Sequence, residues 1–286
     1  MEREIGQTGI RVFPIGLGAM PLSLSGRPSE KAACEVIKAA LDAGVTFFDT
    51  ANAYCRDDRE TGHNERLIAK ALKRFSAQER VTVATKGGFT RPGGSWRSDG
   101  RPASLRRACE QSLRDLGVEA ITLYQFHTPD GSVPFAESVG ELARLRSEGK
   151  IRHLGLSNVS PAQLSEAERI CPVVSVQNRL NPTDQEDLRN GMVRLCGERR
   201  VAYIAYSPVG GGSGHQRMGK NRVLVKLARK NGGSPYAIIL AWLLGLGSHV
   251  LPIPGASRVA SIVDSASAAG LALSAEDAQA VAGIGR

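Results

Sequence analysis

The stretch SEKAACEVIKAALDAGVTFFDT, residues 29–50, contains the unit that decides the fold. Apolar side chains recur on one helical face as far as Ala43, and Gly44 is positioned to end that helix as a C-terminal cap. The apolar run over residues 45–48 is typical of a buried strand, and it ends at Asp49. The segment therefore predicts a helix followed at once by a strand.

The same alternation continues along the chain. Helices are predicted over residues 29–43, 63–73, 102–116, 134–148, about 186–198, 221–230 and 235–245, and others begin at the capping residues Ser160 and Ser274. Strands are predicted near residues 14, 46, 81, 121, 151, 173, 202 and 250. Alternating units imply parallel strands with right-handed crossovers. Eight strands favour a closed (β/α)8 TIM barrel over an open doubly wound sheet.

An N-terminal hairpin is predicted in front of this series. Arg3–Ile5 and Ile10–Phe13 read as two short strands around the turn Gly6-Gln7-Thr8-Gly9, and they could close the bottom of the barrel. No Pro/Ser-rich linker divides the chain. We therefore expect residues 1–286 to form a single (β/α)8 barrel domain.

Composition indicates a soluble protein of a reducing compartment. The chain is 42% hydrophobic and 23% charged, and no run approaches the ~18 apolar residues that a membrane span requires. The five cysteines are scattered and never in CxxC spacing, which argues against a disulfide framework or a zinc site. The charged start Met1–Glu4 has no apolar signal core behind it. We expect a cytoplasmic protein with no membrane partner and no metal.

The formal net charge of +9 favours anionic partners. The basic residues are spread over several predicted helices rather than concentrated in one patch, which is not typical of a nucleic-acid surface. A phosphate-bearing small molecule is the partner that this distribution favours, with plain solubility as the alternative. The oligomeric state is not indicated.

Four titratable side chains stand where predicted strands end. Asp49, Lys86 and His127 each follow an apolar run, and Tyr54 comes five residues after Asp49. In a barrel of this class the chemistry lies at the C-terminal ends of the strands, so these groups are expected to share one site. A phenol beside an ammonium and a carboxylate is suited to donate a proton to a carbonyl oxygen. The alternative is an ion pair at the rim, a packed tyrosine and a structural histidine.

The chain resembles the aldo-keto reductase family in a series of motifs that covers residues 9 to 265. The motifs are Asp49…Tyr54…Gly62-His63-Asn64-Glu65, Thr85-Lys86, Leu123-Tyr124-Gln125-Phe126-His127, Gly149 to Asn158, Val176-Gln177-Asn178, Tyr206-Ser207-Pro208 and Ile253-Pro254-Gly255. They occur in the family's order and are jointly specific.

The resemblance implies a barrel that binds NADPH without a Rossmann motif. It also implies a catalytic tetrad in which Tyr54 is the proton donor, Lys86 with Asp49 lowers the pKa of Tyr54, and His127 positions the carbonyl group.

Two other sequence patterns resemble nucleotide-binding motifs but do not match them. Gly16-Leu17-Gly18 lacks the third glycine and the following helix of a dinucleotide fingerprint. Residues 214–221 place Asn221 where a P-loop requires Ser or Thr.

The resemblance further assigns residues to the cofactor. Ser157, Asn158 and Gln177 are expected to hold the nicotinamide carboxamide, and Tyr206 to stack on the ring. The remaining expected contacts, for the pyrophosphate and the adenosine 2′-phosphate, are Ser207, Pro208, Gly210, Gly255, Ser257, Arg258, Ser261 and Ser265. A helix-entry turn at 157–158 and a flexible loop at 209–214 are the alternatives. Ser261 and Ser265 stand where longer or amide side chains are usual, so NADH is also possible.

Trp96 lies in the Gly/Pro/Arg-rich loop Gly87–Arg101. It could sit over the mouth of a substrate pocket, or it could anchor the loop as a buried side chain. Arg91, Arg97 and Arg101 in the same loop make an acidic or phosphorylated substrate conceivable.

The sequence thus predicts an NADPH-dependent oxidoreductase that reduces an aldehyde or ketone to an alcohol, reversibly. A redox-sensing protein that binds NADPH with weak catalysis is the alternative. A barrel hydrolase or isomerase without nicotinamide is the third hypothesis. The physiological substrate and the preferred direction are not indicated.

Overall fold

The computed structural model describes residues 2–212 and 214–285. Its strands, in chain order, are β1 (Arg3–Glu4), β2 (Arg11–Val12), β3 (Leu17–Gly18), β4 (Phe47–Asp49), β5 (Thr82–Gly87), β6 (Phe89–Thr90), β7 (Arg97–Ser98), β8 (Ile121–Phe126), β9 (Ile151–Ser157), β10 (Val173–Arg179), β11 (Ala202–Tyr206) and β12 (Val250–Ile253).

Eight parallel strands form the main sheet, in the order β3-β4-β5-β8-β9-β10-β11-β12. The sheet closes where Gly18 forms a parallel bridge with Gly255 and donates from its backbone nitrogen to the carbonyl oxygen of Pro254 at 3.0 Å. A Cβ atom on Gly18 would lie 2.8 Å from the carbonyl oxygen of Ile253, so the closure requires glycine. The predicted (β/α)8 barrel is confirmed, although its first strand begins at Leu17, about three residues later than predicted.

Helices follow most of the barrel strands and cover the outside of the sheet. They are α1 (Glu30–Asp42), α2 (His63–Arg74), α3 (Pro102–Leu116), α4 (Phe135–Ser147), α5 (Pro161–Glu168), α6 (Glu186–Arg189), α7 (Met192–Arg199), α8 (Gly214–Gly219), α9 (Arg222–Asn231), α10 (Pro235–Gly245), α11 (Val259–Ser267) and α12 (Ala275–Ala282). None of the described helices is long and apolar enough to cross a bilayer.

Most helix boundaries lie within one or two residues of the prediction. The capping box at Ser160 is present in full, with Ser160 and Gln163 each bonding the other's backbone. The single helix predicted over about 186–198 is wrong, because Gly191 adopts a left-handed conformation (φ 81°) and separates α6 from α7. Helix α11 was not predicted, although its apolar residues Val259, Ile262, Val263 and Ala266 recur at helical spacing.

The N-terminal hairpin closes the bottom of the barrel. Strands β1 and β2 pair antiparallel, and the buried Ile5 and Val12 pack inside the barrel against residues such as Leu123 and Ile204. The guanidinium group of Arg3 donates to backbone carbonyl oxygens around the start of β12, including that of Leu244 at 2.7 Å. The hairpin therefore blocks the end of the barrel opposite to the strand C-termini.

A buried carboxyl group lies behind β5, on the outer face of the barrel. Glu65 of α2 is fully buried, and its Oε1 atom accepts a hydrogen bond from Thr85 Oγ1 at 2.5 Å. Its Oε2 atom has no partner among the described residues. Burial raises the pKa of Glu65 to about 7, although the Thr85 and Ser112 hydroxyls favour the ionised form.

This raised pKa predicts that stability falls as pH rises. The unfolded chain ionises Glu65 near pH 4.5, whereas the folded chain keeps the proton until about pH 7. The folded state therefore loses about 3 kcal/mol of its free energy of unfolding between pH 4.5 and pH 8. Glu65→Gln carries no titrating group at this position, so it should not show this loss. The free energy of unfolding of the variant minus that of the wild type should therefore increase by about 3 kcal/mol from pH 4.5 to pH 8.

Urea denaturation at pH 5 and pH 8 measures this difference. Glu79→Gln, at an exposed position, is the control and should keep the pH dependence of the wild type. A Glu65→Gln variant with the wild-type pH dependence would show that Glu65 does not titrate in this way.

Candidate active site

Residues from three neighbouring strands meet at the C-terminal end of the barrel. Asp49 is the last residue of β4, Lys86 lies near the end of β5, and His127 directly follows β8. Because β4, β5 and β8 are consecutive in the sheet, their C-terminal ends are adjacent. Tyr54 is held beside them by the loop after β4, and all four side chains are buried. The structure thus brings together the four residues predicted for the catalytic tetrad.

Lys86 is the centre of this group. Its Nζ atom donates to Asp49 Oδ2 at 2.6 Å, to the carbonyl oxygen of Thr50 at 2.9 Å and to Tyr54 Oη at 3.0 Å. An ammonium group has three protons, so each has one acceptor here. Tyr54 Oη acts as an acceptor in this arrangement, and its own hydroxyl proton remains free for another partner.

Asp49 is fixed from across the barrel interior. Its Oδ1 atom accepts hydrogen bonds from Gln177 Nε2 at 2.7 Å and Gln125 Nε2 at 3.3 Å. Gln125 was not singled out from the sequence, and its inward position on β8 was the available signal. Gln177, which the resemblance assigned to the cofactor, uses its amide nitrogen to orient Asp49.

Burial determines the protonation state of His127. Its side chain is 7% exposed, and its Nδ1 atom has no partner in the part of the chain described. Burial and the nearby charge of Lys86 lower the pKa of His127 well below its usual range. A neutral imidazole has one N–H donor. It lies close to the phenol, with 5.7 Å between the two ring centroids.

Burial acts on Tyr54 in the opposite direction to the one expected. The pKa of Tyr54 is raised well above its usual value, first by burial and then by the negative charge of Asp49. The resemblance implied that Lys86 with Asp49 lowers it. The difference arises because Asp49 neutralises the ammonium charge within the same buried cluster, so desolvation of the phenolate prevails. Burial also lowers the pKa of Lys86, and Asp49 opposes this shift.

Trp96 stands beside the tetrad, in the loop that carries the hairpin β6–β7. Its ring centroid lies 6.3 Å from the ring centroid of Tyr54 and 6.2 Å from that of His127, in edge contacts. Its side chain is 41% exposed. It is therefore not the buried loop anchor that was the alternative, and it lines the approach to the phenol.

The rim beyond β9 and β11 is connected to the tetrad by hydrogen bonds. Asn158, in a left-handed conformation (φ 58°), donates from Nδ2 to the carbonyl oxygen of His127 at 2.9 Å. Its Oδ1 atom accepts from Tyr206 Oη at 2.8 Å. Ser157 is buried one residue earlier and lies opposite Gln177 in the register of β9 and β10. Asn158 thus adopts a left-handed backbone conformation, which asparagine tolerates better than most residues, two residues before the N-cap of α5.

The loop after β11 contains the glycine-rich segment. Ser207 is left-handed (φ 48°), Pro208 is buried, and Gly210 donates from its backbone nitrogen to the carbonyl oxygen of Ser207 at 3.0 Å. Gly210, Gly211 and Gly212 all have positive φ. Part of the expected loop, Ser213, lies outside the described residues.

The residues expected at the 2′-phosphate follow the neighbouring strand, β12. Gly255 bridges to β3 at the closure of the barrel, and Ser257 and Arg258 are exposed at the start of α11. Ser261 is half-buried one turn into α11, and Ser265 is buried (6% exposed) a turn further. Because β11 and β12 are adjacent, these residues and the glycine-rich loop share one sector of the rim.

In the described part of the chain, no group of three or more His, Cys, Asp or Glu side chains could hold a metal ion. All five cysteines are buried and unpaired. Gly16 to Gly18 forms the closing seam of the barrel, and residues 214–219 form the short helix α8 well after the end of β11.

The chain is similar to several known proteins over nearly its full length. It is 34% identical over 303 residues to the probable aldo-keto reductase 1 of Glycine max, covering 96% of this chain and 86% of that protein. The crystal structure of the thermostable aldo-keto reductase Tm1743, solved with the inhibitor epalrestat, is 30% identical, with a TM-score of 0.84 and complete coverage of both chains.

A third relative is an aldo-keto reductase from Klebsiella pneumoniae, solved in complex with NADPH. It is 23% identical, with a TM-score of 0.81, and the alignment covers 98% of this chain and 93% of that one. At this level of identity the likeness concerns the fold. The family model described as "Aldo/keto reductase family" matches residues 14–286. Together with the Glycine max relative, this match shows that the chain belongs to the aldo/keto reductase family.

Proposed function

We propose that this member of the family uses NADPH to reduce an aldehyde or ketone to an alcohol, with Tyr54 as the proton donor, and that it also catalyses the reverse oxidation. The observation that carries the proposal is the set of three hydrogen bonds donated by Lys86, which leaves the proton of Tyr54 free. Substrate and cofactor are small molecules.

The buried, unpaired cysteines support a reducing compartment, and we place the enzyme in the cytoplasm.

The raised pKa of Tyr54 keeps the phenol protonated before the reaction. Because a general acid works best with a pKa near the working pH, transfer of this proton requires stabilisation of the phenolate. Negative charge develops on the carbonyl oxygen during reduction and makes that oxygen a strong acceptor. When Tyr54 gives up its proton, the phenolate oxygen is 3.0 Å from the ammonium group of Lys86, which stabilises it.

His127 would position the substrate. A neutral imidazole can donate one hydrogen bond to the carbonyl oxygen without giving up a charge. Its ring makes edge contacts with those of Tyr54 and Trp96, which place it next to the phenol. His127 and Tyr54 would then hold the same oxygen atom from two directions.

The rim residues fit a nicotinamide cofactor. When bound, NADPH supplies two electrons and one hydrogen to the carbonyl carbon. The hydroxyl of Ser157 and the amide of Asn158 are suited to the carboxamide. Gln177 can offer only its oxygen, because its two amide protons are donated to Asp49 and Gln125. The ring of Tyr206 has the guanidinium group of Arg179 over it at 5.4 Å, so one face remains for stacking.

The phosphate groups would be held in the sector formed after β11 and β12. Consecutive glycines with positive φ allow the backbone to approach a pyrophosphate closely. Arg258 and Ser257 precede α11, whose N-terminus attracts anions. Ser261 is the next candidate for the 2′-phosphate, whereas the burial of Ser265 leaves it little access. NADH is therefore a second possible cofactor.

Replacing Tyr54 tests the proton donor. Tyr54→Phe removes the acid and leaves the cofactor sector intact, so kcat should fall by about 10²–10⁴-fold while NADPH binding changes little. Steady-state reduction of 4-nitrobenzaldehyde and quenching of NADPH fluorescence measure the two quantities. Near-wild-type turnover by the variant would contradict the assigned role.

Tyr124→Phe is the matched control. Tyr124 is fully buried on β8, outside the tetrad, and its hydroxyl group has no partner among the described residues. Its loss should leave turnover unchanged. Steady multiple turnover by the wild type would also exclude a redox sensor with weak catalysis.

Replacing Arg258 tests the choice of cofactor. Arg258→Ala should raise the Kd for NADPH by about tenfold, because a charge-assisted hydrogen bond to the 2′-phosphate is lost. The Kd for NADH should not change, since NADH has no phosphate there. Arg229→Ala, at an exposed position of α9, is the control for the loss of one positive charge. Equal weakening of both cofactors would contradict a role at the 2′-phosphate.

A further inference from the structure

Arg91 is a buried cation in the loop that borders the tetrad. Its side chain is 7% exposed, and its Nη2 atom donates to the carbonyl oxygens of Gly94 at 2.7 Å and Arg56 at 3.1 Å. The guanidinium group lies over the ring of Trp96, 4.0 Å from its centroid. These contacts place the cation at a fixed position directly behind the indole.

Part of this guanidinium group is left without partners. Its Nε and Nη1 atoms are buried and have no hydrogen-bond partner among the described residues, and no described carboxylate lies within ion-pair distance. A buried cation that lacks an anion is costly, and donors without acceptors add to the cost. Such a group calls for a ligand that the chain itself does not supply.

The neighbouring ions do not compensate Arg91. Glu60 is bound by Arg27 at 2.7 Å and by Arg56 at 2.7 Å, so its charge is shared between two other guanidinium groups. Arg101, in the same loop, pairs with Asp99 at 2.7 Å. Arg91 therefore differs from Arg101, which has a carboxylate partner.

Trp96 links Arg91 to the tetrad. The centroid of its ring lies 4.0 Å from the guanidinium carbon of Arg91 and 6.3 Å from the ring centroid of Tyr54. Trp96 is 41% exposed, and the preceding Gly93 and Gly94 have positive φ, with nothing within 4 Å of a Cβ on Gly93. The side chain that covers Arg91 is thus partly open to solvent, and its other ring contacts are edge contacts with Phe89, Tyr54 and His127.

We propose that Arg91 binds an anionic group of the carbonyl substrate, so that the preferred substrates are aldehydes or ketones that also carry a carboxylate. This inference rests on the proposed function. The carboxylate would accept hydrogen bonds from the unpaired donors of Arg91 as the indole of Trp96 shifts aside. The reacting carbonyl group would lie about one aromatic ring away, against Tyr54 and His127.

A pair of substrates that differ only in charge tests this proposal. The wild type and Arg91→Met are compared on 4-carboxybenzaldehyde and on its neutral methyl ester, methyl 4-formylbenzoate. The ratio of kcat/KM for the acid to kcat/KM for the ester should fall by about 10–100-fold in the variant, because a charge-assisted contact is lost. Arg91→Lys keeps the charge and should restore part of the ratio.

Arg97→Met is the matched control, because it removes an exposed arginine six residues away in the same loop. It should leave the ratio at the wild-type value. Raising the ionic strength provides a test without any variant: the wild-type ratio should change little, since buried contacts are screened weakly.

Two outcomes would overturn the inference while leaving the proposed function in place. Equal losses on acid and ester would mean that Arg91 only supports Trp96, and an unchanged ratio would mean that it meets no anion. If the wild type reduced neither aldehyde with NADPH, the proposed function itself would fail, and the inference with it.

Discussion

The arrangement of the site depends on how one buried ammonium group is satisfied. Lys86 is completely inaccessible to solvent, and each proton of its Nζ atom has an acceptor. Removing Asp49 would leave the buried ammonium group without its anion, which is among the costliest changes that a protein can undergo. The main acceptor, Asp49, is in turn held by Gln177 from the far side of the barrel. The ion pair therefore fixes the relative positions of β4, β5 and β10 as well as the phenol of Tyr54.

The same burial that demands these partners sets the protonation states of Tyr54 and His127. Desolvation disfavours the phenolate and the imidazolium, so the phenol holds its proton and the imidazole stays neutral. In the proposed reaction both groups can donate hydrogen bonds to the substrate oxygen atom. Arg91 also keeps buried atoms without a partner, and it is a cation to which the described chain offers no anion.

Local sequence signals were sufficient for most of the architecture. Glycine caps such as Gly44 and Gly117, capping residues such as Ser160 and apolar periodicity depend only on neighbours in the chain, and they located the helices to within a residue or two. Two local signals were present but not used: Gly191, which separates α6 from α7, and the helical spacing of the apolar residues in α11. Alternation of the two kinds of element, counted to eight, was enough to predict the closed barrel.

The sequence by itself determined the fold, the family and the identity of the four tetrad residues, because each of these follows from residue type and order along the chain. Only the tertiary structure decided the direction of the pKa shift at Tyr54, the use of Gln177 to orient Asp49 and the isolation of Arg91 behind Trp96. These properties depend on which groups are buried together and on how many of their hydrogen bonds are already taken. Residue spacing predicts neither the burial nor the hydrogen bonding, since both arise from contacts between segments that are distant in sequence.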